Sequence, residues 1–194
     1  VVLEMERDPG GTARSEQSGS FAYPWGAHYV PTPMPESKAL IQLLSEMQVV
    51  SAVHEDGTPV VGEQYLCREP EERIFFQGRW HEGLYPHDGA GSDDLRQLSE
   101  FQNEVDRWVS RRDSDGRRMF AIPMSMGSTD DEVMSLDQQS MASWMDGFGW
   151  DSPRLRWLVD YSCRDDYGLG IDQTSAWAGL FYFASRVRSA GDPS

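Results

Sequence analysis

A chain of 194 residues has room for one domain, or for one domain and part of another. Seven Trp, seven Tyr and eight Phe supply an apolar core, which argues against general disorder. Seventeen basic residues against 32 acidic ones leave a formal net charge of −15, which excludes non-specific nucleic-acid binding, because nothing attracts a phosphate backbone.

In chain order, Val1-Val2-Leu3-Glu4 reads as a short apolar strand that ends on an acid. Residues 5–20 read as a Gly/Ser-rich loop containing the pair Gly10-Gly11, with Thr12, Arg14 and Ser15 behind it. Phe21 to Val30 is aromatic and apolar but broken by Pro24 and Gly26, and Pro31 to Pro35 forbids regular structure. Ser37 is placed to cap a helix whose apolar positions are Leu40, Ile41, Leu44 and Met47. A strand and a turn at Asp56-Gly57 follow. Two β-prone runs, Gln64 to Cys67 and Arg73 to Gln77, are expected to pair through the charged segment 68–72.

The clearest amphipathic helix runs from Asp93 to about Arg112 through Leu95, Leu98, Phe101, Val105, Trp108 and Val109, with Ser92 as its expected cap. Phe120 to Pro123 reads as a short extended piece. Ser135-Leu-Asp-Gln138 has the capping-box form and predicts a helix through Met141, Trp144 and Met145. Asp151-Ser152-Pro153 starts another helix, with proline at its first position. A last helix starts at Asp172 or Thr174 and carries Trp177, Leu180, Phe181 and Phe183; residues 191–194 are an expected frayed tail. The sum is an α/β to α+β chain with one nucleotide-fold strand and a mixed helical and hairpin region behind it.

No run reaches the ~18 apolar residues of a membrane span. Cys67 and Cys163 match no zinc or C-x-x-C spacing and are expected as reduced thiols. His54, His81 and His87 lie in charged, turn-like settings without metal-ligand spacing, and surface roles are expected for them. His28 sits between aromatics and is the one histidine assigned to the substrate side. The acid pairs Asp93-Asp94, Asp130-Asp131 and Asp165-Asp166 read as solvated or helix-end acids. Neither a G-x-S-x-G elbow nor a Walker A sequence is present.

The N-terminal elements have one chemistry in common. An acid at the carboxyl edge of a strand can accept from both ribose hydroxyls, a glycine pair lets backbone approach a pyrophosphate, and an arginine offsets its charge. Leu3-Glu4, Gly10-Gly11 six and seven positions after the acid, Arg14-Ser15 and Tyr23-Pro-Trp-Gly26-Ala-His-Tyr29 together resemble the amine oxidase and phytoene desaturase superfamily of FAD-dependent oxidoreductases. The stretches Gln77–Pro86, Ser152–Tyr161 and Arg164–Gly168 look like a bacterial NAD(P)/FAD-dependent branch of it. The resemblance implies FAD as cofactor. It places Glu4 on the ribose, Gly10, Gly11, Thr12, Arg14 and Ser15 along the pyrophosphate, and Gly26-Ala27 near the isoalloxazine. It divides the chain into a partial Rossmann-like FAD-binding segment, 1–35, and a substrate or cap domain, 36–190.

Three features depart from the family pattern. The first strand with the G-x-G-x-x-G motif that sets a pyrophosphate on a helix N-terminus is absent, the C-terminal segment that returns to complete the family's FAD domain is absent, and Thr12 stands where many relatives have arginine. The chain is therefore expected to be an internal piece of a flavoprotein, with no tight FAD binding and no turnover of its own. In the parent, a small-molecule substrate (an amine or a hydrocarbon) is expected to give hydride to flavin, with no catalytic base identified. The rival reading is a non-enzymatic acidic α+β binding module whose N-terminal motif is coincidental. A glycosidase would require two convergent carboxylates, Asp160 and Asp165 being the pair to examine.

Overall fold

The computed structural model describes residues 3–27, 29–66, 72–187 and 189–190. Their contacts form two compact units, Val1–Pro33 and Met34–Ser194. The architecture is mixed α+β, with six α-helices and three antiparallel sheets of two strands each among the described residues.

In the first unit, β1 (Ser15–Ser18) pairs with β2 (Phe21–Pro24), with Ser15 opposite Pro24 and Ser18 opposite Phe21. Gly19, at φ 62°, makes the tight turn between them. Residues 15–18, expected as loop, are therefore strand. The expected strand at 1–4 is corrected in its described half: Leu3 and Glu4 belong to no strand, and Leu3 is 90% exposed. An apolar run becomes a strand only where a ladder partner satisfies its backbone, and these residues have no strand pairing.

The second unit begins with α1 (Lys38–Glu46), then β3 (Val50–Val53) paired with β4 (Pro59–Val61). Ser37 precedes α1 as expected, but its hydroxyl donates to the Ile122 carbonyl at 2.7 Å instead of capping the helix. The expected strand at 64–67 is a short 3₁₀ turn over Glu63–Tyr65, and Cys67 lies outside the described residues. The hairpin instead joins β5 (Arg73–Phe76) to β6 (Arg79–Glu82). Gln77 at φ 51° and Gly78 at φ 81° turn it, the left-handed pair that matches strand twist in a two-residue loop.

The core lies in five later helices. α2 (Ser92–Ser110) buries Gln97, Leu98, Phe101, Val105, Trp108 and Val109. Gly91, not Ser92, is its N-cap, and the Asp94 carboxylate accepts from the Gly91 N–H at 3.0 Å. Phe120–Pro123 joins no strand. α3 (Asp131–Ser135) and a 3₁₀ turn precede α4 (Met141–Gly147), so the predicted box at Ser135 is displaced. Ser140 is the cap, accepting from the Ser143 N–H at 3.1 Å. Ser152 caps α5 (Pro153–Tyr167), and Ser175 caps α6 (Ala176–Ala184). α6 packs on α2, α4 and α5. Its close approach to α4 needs Gly179, where a Cβ would stand 2.6 Å from Met141 Sδ.

Two polar devices tie these helices together. Gln97 Nε2 donates to Asp93 Oδ2 at 2.9 Å and Asp151 Oδ1 at 2.8 Å, while its Oε1 accepts from the Ser152 N–H at 2.8 Å. Ser152 Oγ also donates to Asp94 Oδ1 at 2.6 Å, so Asp94 and Gln97 of α2 together hold the N-cap residue of α5. The buried Arg118 guanidinium donates to the Ala184 carbonyl at the end of α6 and to the Val187 carbonyl beyond it. There it satisfies acceptors that the helix leaves unpaired.

Candidate functional site

The glycine pair and its neighbours fold into one small loop. Gly10 (φ 131°) and Gly11 (φ 52°) both need positive φ, which only glycine takes freely. The Ala13 N–H then bonds the Gly10 carbonyl at 2.9 Å, and the Arg14 N–H bonds the Gly11 carbonyl at 3.2 Å. Pairing of β1 with β2 returns the chain, so that the Gly26 and Ala27 N–H groups donate to the Thr12 carbonyl at 3.0 and 2.9 Å. Gly26 eases this approach, since a Cβ there would lie 3.1 Å from Thr12 O. Gly10, Gly11, Thr12, Arg14, Gly26 and Ala27 are thus brought together, with Ser15 as the first residue of β1.

A shallow cleft of 320 Å³ opens beside this loop, lined by Asp8, Pro9, Gly10, Ala13, Arg14, Ser15 and Glu16. Arg14 is its one cation, and its Nε is buried without a hydrogen-bond partner. Its terminal nitrogen stands 3.9 Å from Glu16, a loose pair in partly exposed surroundings. The Glu4 Oε1 accepts from the Met5 N–H at 2.7 Å and the Glu6 N–H at 3.0 Å. Those amides, Glu6 first, hold its carboxyl below the ordinary range, and the Gly10 N–H adds to the effect. His28 lies outside the described residues.

A guanidinium beside a left-handed glycine pair is the chemistry that a phosphate oxygen takes up, but the Arg14 Nε is closed to solvent, so such a contact would fall to the terminal nitrogens of Arg14. Asp8 and Glu16 oppose an anion in the same cleft, and the amides of Ala13, Arg14, Gly26 and Ala27 are already used within the loop. The arginine alone therefore decides whether the cleft tolerates negative charge.

Other candidates resolve into structural roles. His81 is buried rather than superficial, with Nε2 3.3 Å from the Phe76 carbonyl and Nδ1 3.9 Å from Asp88. Asp160 accepts from Arg164 Nε at 2.6 Å and the Ile171 N–H at 3.0 Å. Asp165, five residues on in the same helix, stands about 140° round it, which removes the two-carboxylate arrangement of a glycosidase. Asp166 pairs with Arg186 at 2.6 Å. Among the described residues no group of three His, Cys, Asp or Glu is placed to hold a metal, and no helix is long and apolar enough to cross a membrane.

A larger groove, missed at the level of sequence, lies in the second unit between α2, α5 and α6 and measures 530 Å³. Its signal was available: Ser99, Gln102, Asn103 and Asp106 recur at helical spacing, a polar stripe beside the apolar one. No family model, no curated protein and no solved structure matches this chain.

Proposed function

We propose that this chain belongs to an FAD-dependent oxidoreductase of the amine oxidase-like class. Its first unit would supply part of a Rossmann-like cofactor site, and its second the substrate or cap region. The observation that carries the reading is the convergence of Gly10, Gly11, Thr12, Arg14, Gly26 and Ala27 on one loop beside a cleft whose lining includes Arg14. When bound, FAD accepts hydride from a substrate C–H bond. The chain's own part would be to let backbone approach the pyrophosphate at Gly10 and Gly11 and to offset its charge with Arg14. Glu4 would hold the ribose end, and Gly26-Ala27 would border the ring system.

The test is the colour and flavin content of the complete gene product. A yellow protein that releases FAD on denaturation is expected, and Arg14→Ala should weaken FAD by about tenfold or more, the scale of one charge-assisted contact. The 194-residue chain by itself should bind FAD only weakly. A colourless product that refuses added FAD overturns the reading in favour of an acidic α+β binding module.

A further inference from the structure

Asp56, Asp88, Asp115 and Asp146 are each followed directly by glycine. Such a pair is chemically frail, because the glycine nitrogen has no neighbouring side chain to shield it and can close on the aspartate side-chain carbon. Attack requires an amide free of other bonds and a carboxyl free to swing. Three of the pairs lack this freedom. The Gly57 N–H donates to the His54 carbonyl at 2.9 Å, and the Gly116 N–H to the Asp113 carbonyl at 3.0 Å. Gly147 is the last residue of α4, and the Asp146 carboxylate is engaged by Arg156 at 2.7 Å. Asp88-Gly89 differs from all three. Its turn is closed by the Ala90 N–H on the His87 carbonyl at 3.0 Å, with Gly89 at φ 71°, and among the described residues nothing accepts from the Gly89 N–H. The Asp88 carboxylate stands 3.5 Å from Arg79 and 3.9 Å from His81, both long for a hydrogen bond, and its side chain is 66% exposed.

We propose that Asp88-Gly89 is a self-modification site, which closes to a succinimide and reopens to isoaspartate, with Arg154 activating the amide. The proposal stands independently of the flavin reading, since it uses no residue of the first unit. In the first step the Gly89 nitrogen gives up its proton and bonds to Asp88 Cγ. The carboxyl loses one oxygen, which leaves as water with protons from solvent. Charge in that step spreads onto the Asp88 carbonyl oxygen, which belongs to the same peptide group as the Gly89 nitrogen. Arg154, in the first turn of α5, donates to that oxygen through Nη2 at 3.2 Å and is anchored by Nη1 on the Pro86 carbonyl. A guanidinium aimed at the atom where charge develops favours the step. Water then reopens the ring at the bond between the nitrogen and the former main-chain carbonyl. The chain now runs through Cγ, one methylene longer, and the water lost in closure has been returned, so no oxidant or cofactor is consumed. The freed carboxylate arises at the oxygen that Arg154 already holds, and a charge-assisted pair replaces a neutral acceptor.

The test ages the folded chain at neutral pH in heavy-oxygen water, where each ring opening leaves one heavy oxygen in the peptide. Peptide mapping by mass spectrometry locates the label, and backbone fragments distinguish isoaspartate from aspartate. Label is expected at Asp88 about tenfold faster than at Asp56, Asp115 or Asp146, with the four rates converging to within about threefold in concentrated guanidinium. Arg154→Gln should slow labelling at Asp88 by about threefold or more, whereas loss of a merely structural anchor would loosen the turn and speed it. Another Asp-Gly pair that matches Asp88 in the folded chain overturns the site. The same bias in the denatured chain overturns the argument from the fold, since local sequence alone would then select Asp88. An unchanged or faster rate in Arg154→Gln overturns the part given to the guanidinium.

Discussion

The hold of Gln97 on the N-cap residue of α5 predicts a large effect from a nearly isosteric change. In Gln97→Leu the side chain keeps its size, and 99% of the residue's surface is buried in the native protein. The change strands the Ser152 N–H, which is buried and loses its 2.8 Å acceptor, at a cost of about 1–3 kcal/mol. The bonds to Asp93 and Asp151 are lost too, but water reaches both carboxylates, so each contributes about 0.5 kcal/mol. Leucine regains roughly 1 kcal/mol of apolar burial. The net loss is about 2 kcal/mol, or roughly 4–8 °C in Tm for a domain of this size class. Urea unfolding followed by circular dichroism measures it, with the m-value expected to stay constant. Asp151→Asn supplies the second edge of a cycle, and a coupling of at least about 0.5 kcal/mol is expected because the two side chains touch. A loss below about 0.5 kcal/mol, or strict additivity, would refute this account of the α5 cap.

Other expectations follow from the same core. Arg118→Ala should cost about 2–4 kcal/mol, because it leaves the Ala184 and Val187 carbonyls without their guanidinium, and Arg118→Lys should restore only part in thermal unfolding. Gly179→Ala should destabilise by about 1–2 kcal/mol, since overpacking against the fully buried Met141 exceeds the helix-propensity gain; a stabilised variant would show that α4 and α6 have slack. The Ser152 hydroxyl, and after it the Gly91 N–H, hold the Asp94 carboxyl below the ordinary carboxylate range. A depressed folded pKa means that this stabilisation is complete above the unfolded value near about pH 4, and is lost as pH falls through the folded value. Asp94→Asn should therefore flatten the acid limb of stability below about pH 4 in denaturant titrations, and an unchanged limb would count against the assignment. Burial pushes the Cys163 thiol up to about 11, so its peptide should resist alkylation at neutral pH until denaturant is added, as read by mass spectrometry.

Periodicity made the long helices legible, whereas local chemistry placed only some of their ends. Leu98, Phe101, Val105, Trp108 and Val109 repeat at helical spacing and do form the inner face of α2. Gln97 escaped notice because a glutamine enters a core only when distant groups, here Asp151 and Ser152, satisfy it. The S-x-x-Q at Ser135 looked like a helix start, yet the start falls at Ser140. There the Met141 and Ala142 N–H groups bond the Thr174 and Ile171 carbonyls, partners more than twenty residues away. Ser152-Pro153 was readable in place, because its cap and its proline are both local. In the candidate cofactor loop, spacing named Gly10, Gly11 and Arg14. That Gly26 and Ala27 fold back onto Thr12 depends on the hairpin at 15–24, which an unpatterned Ser-Glu-Gln-Ser strand does not announce.

The three two-stranded ladders have a consequence for exchange of backbone amides with solvent. Each ladder closes within a few residues of its own turn and has no third strand among the described residues. Their amides should open locally, without help from the helical core, and lose protons to deuterium early. Val159 on α5 and Leu180 on α6, fully buried, should be released only when the whole unit unfolds. One molecule would then display two widely separated clocks, with the slow one confined to the helices that follow Gly91.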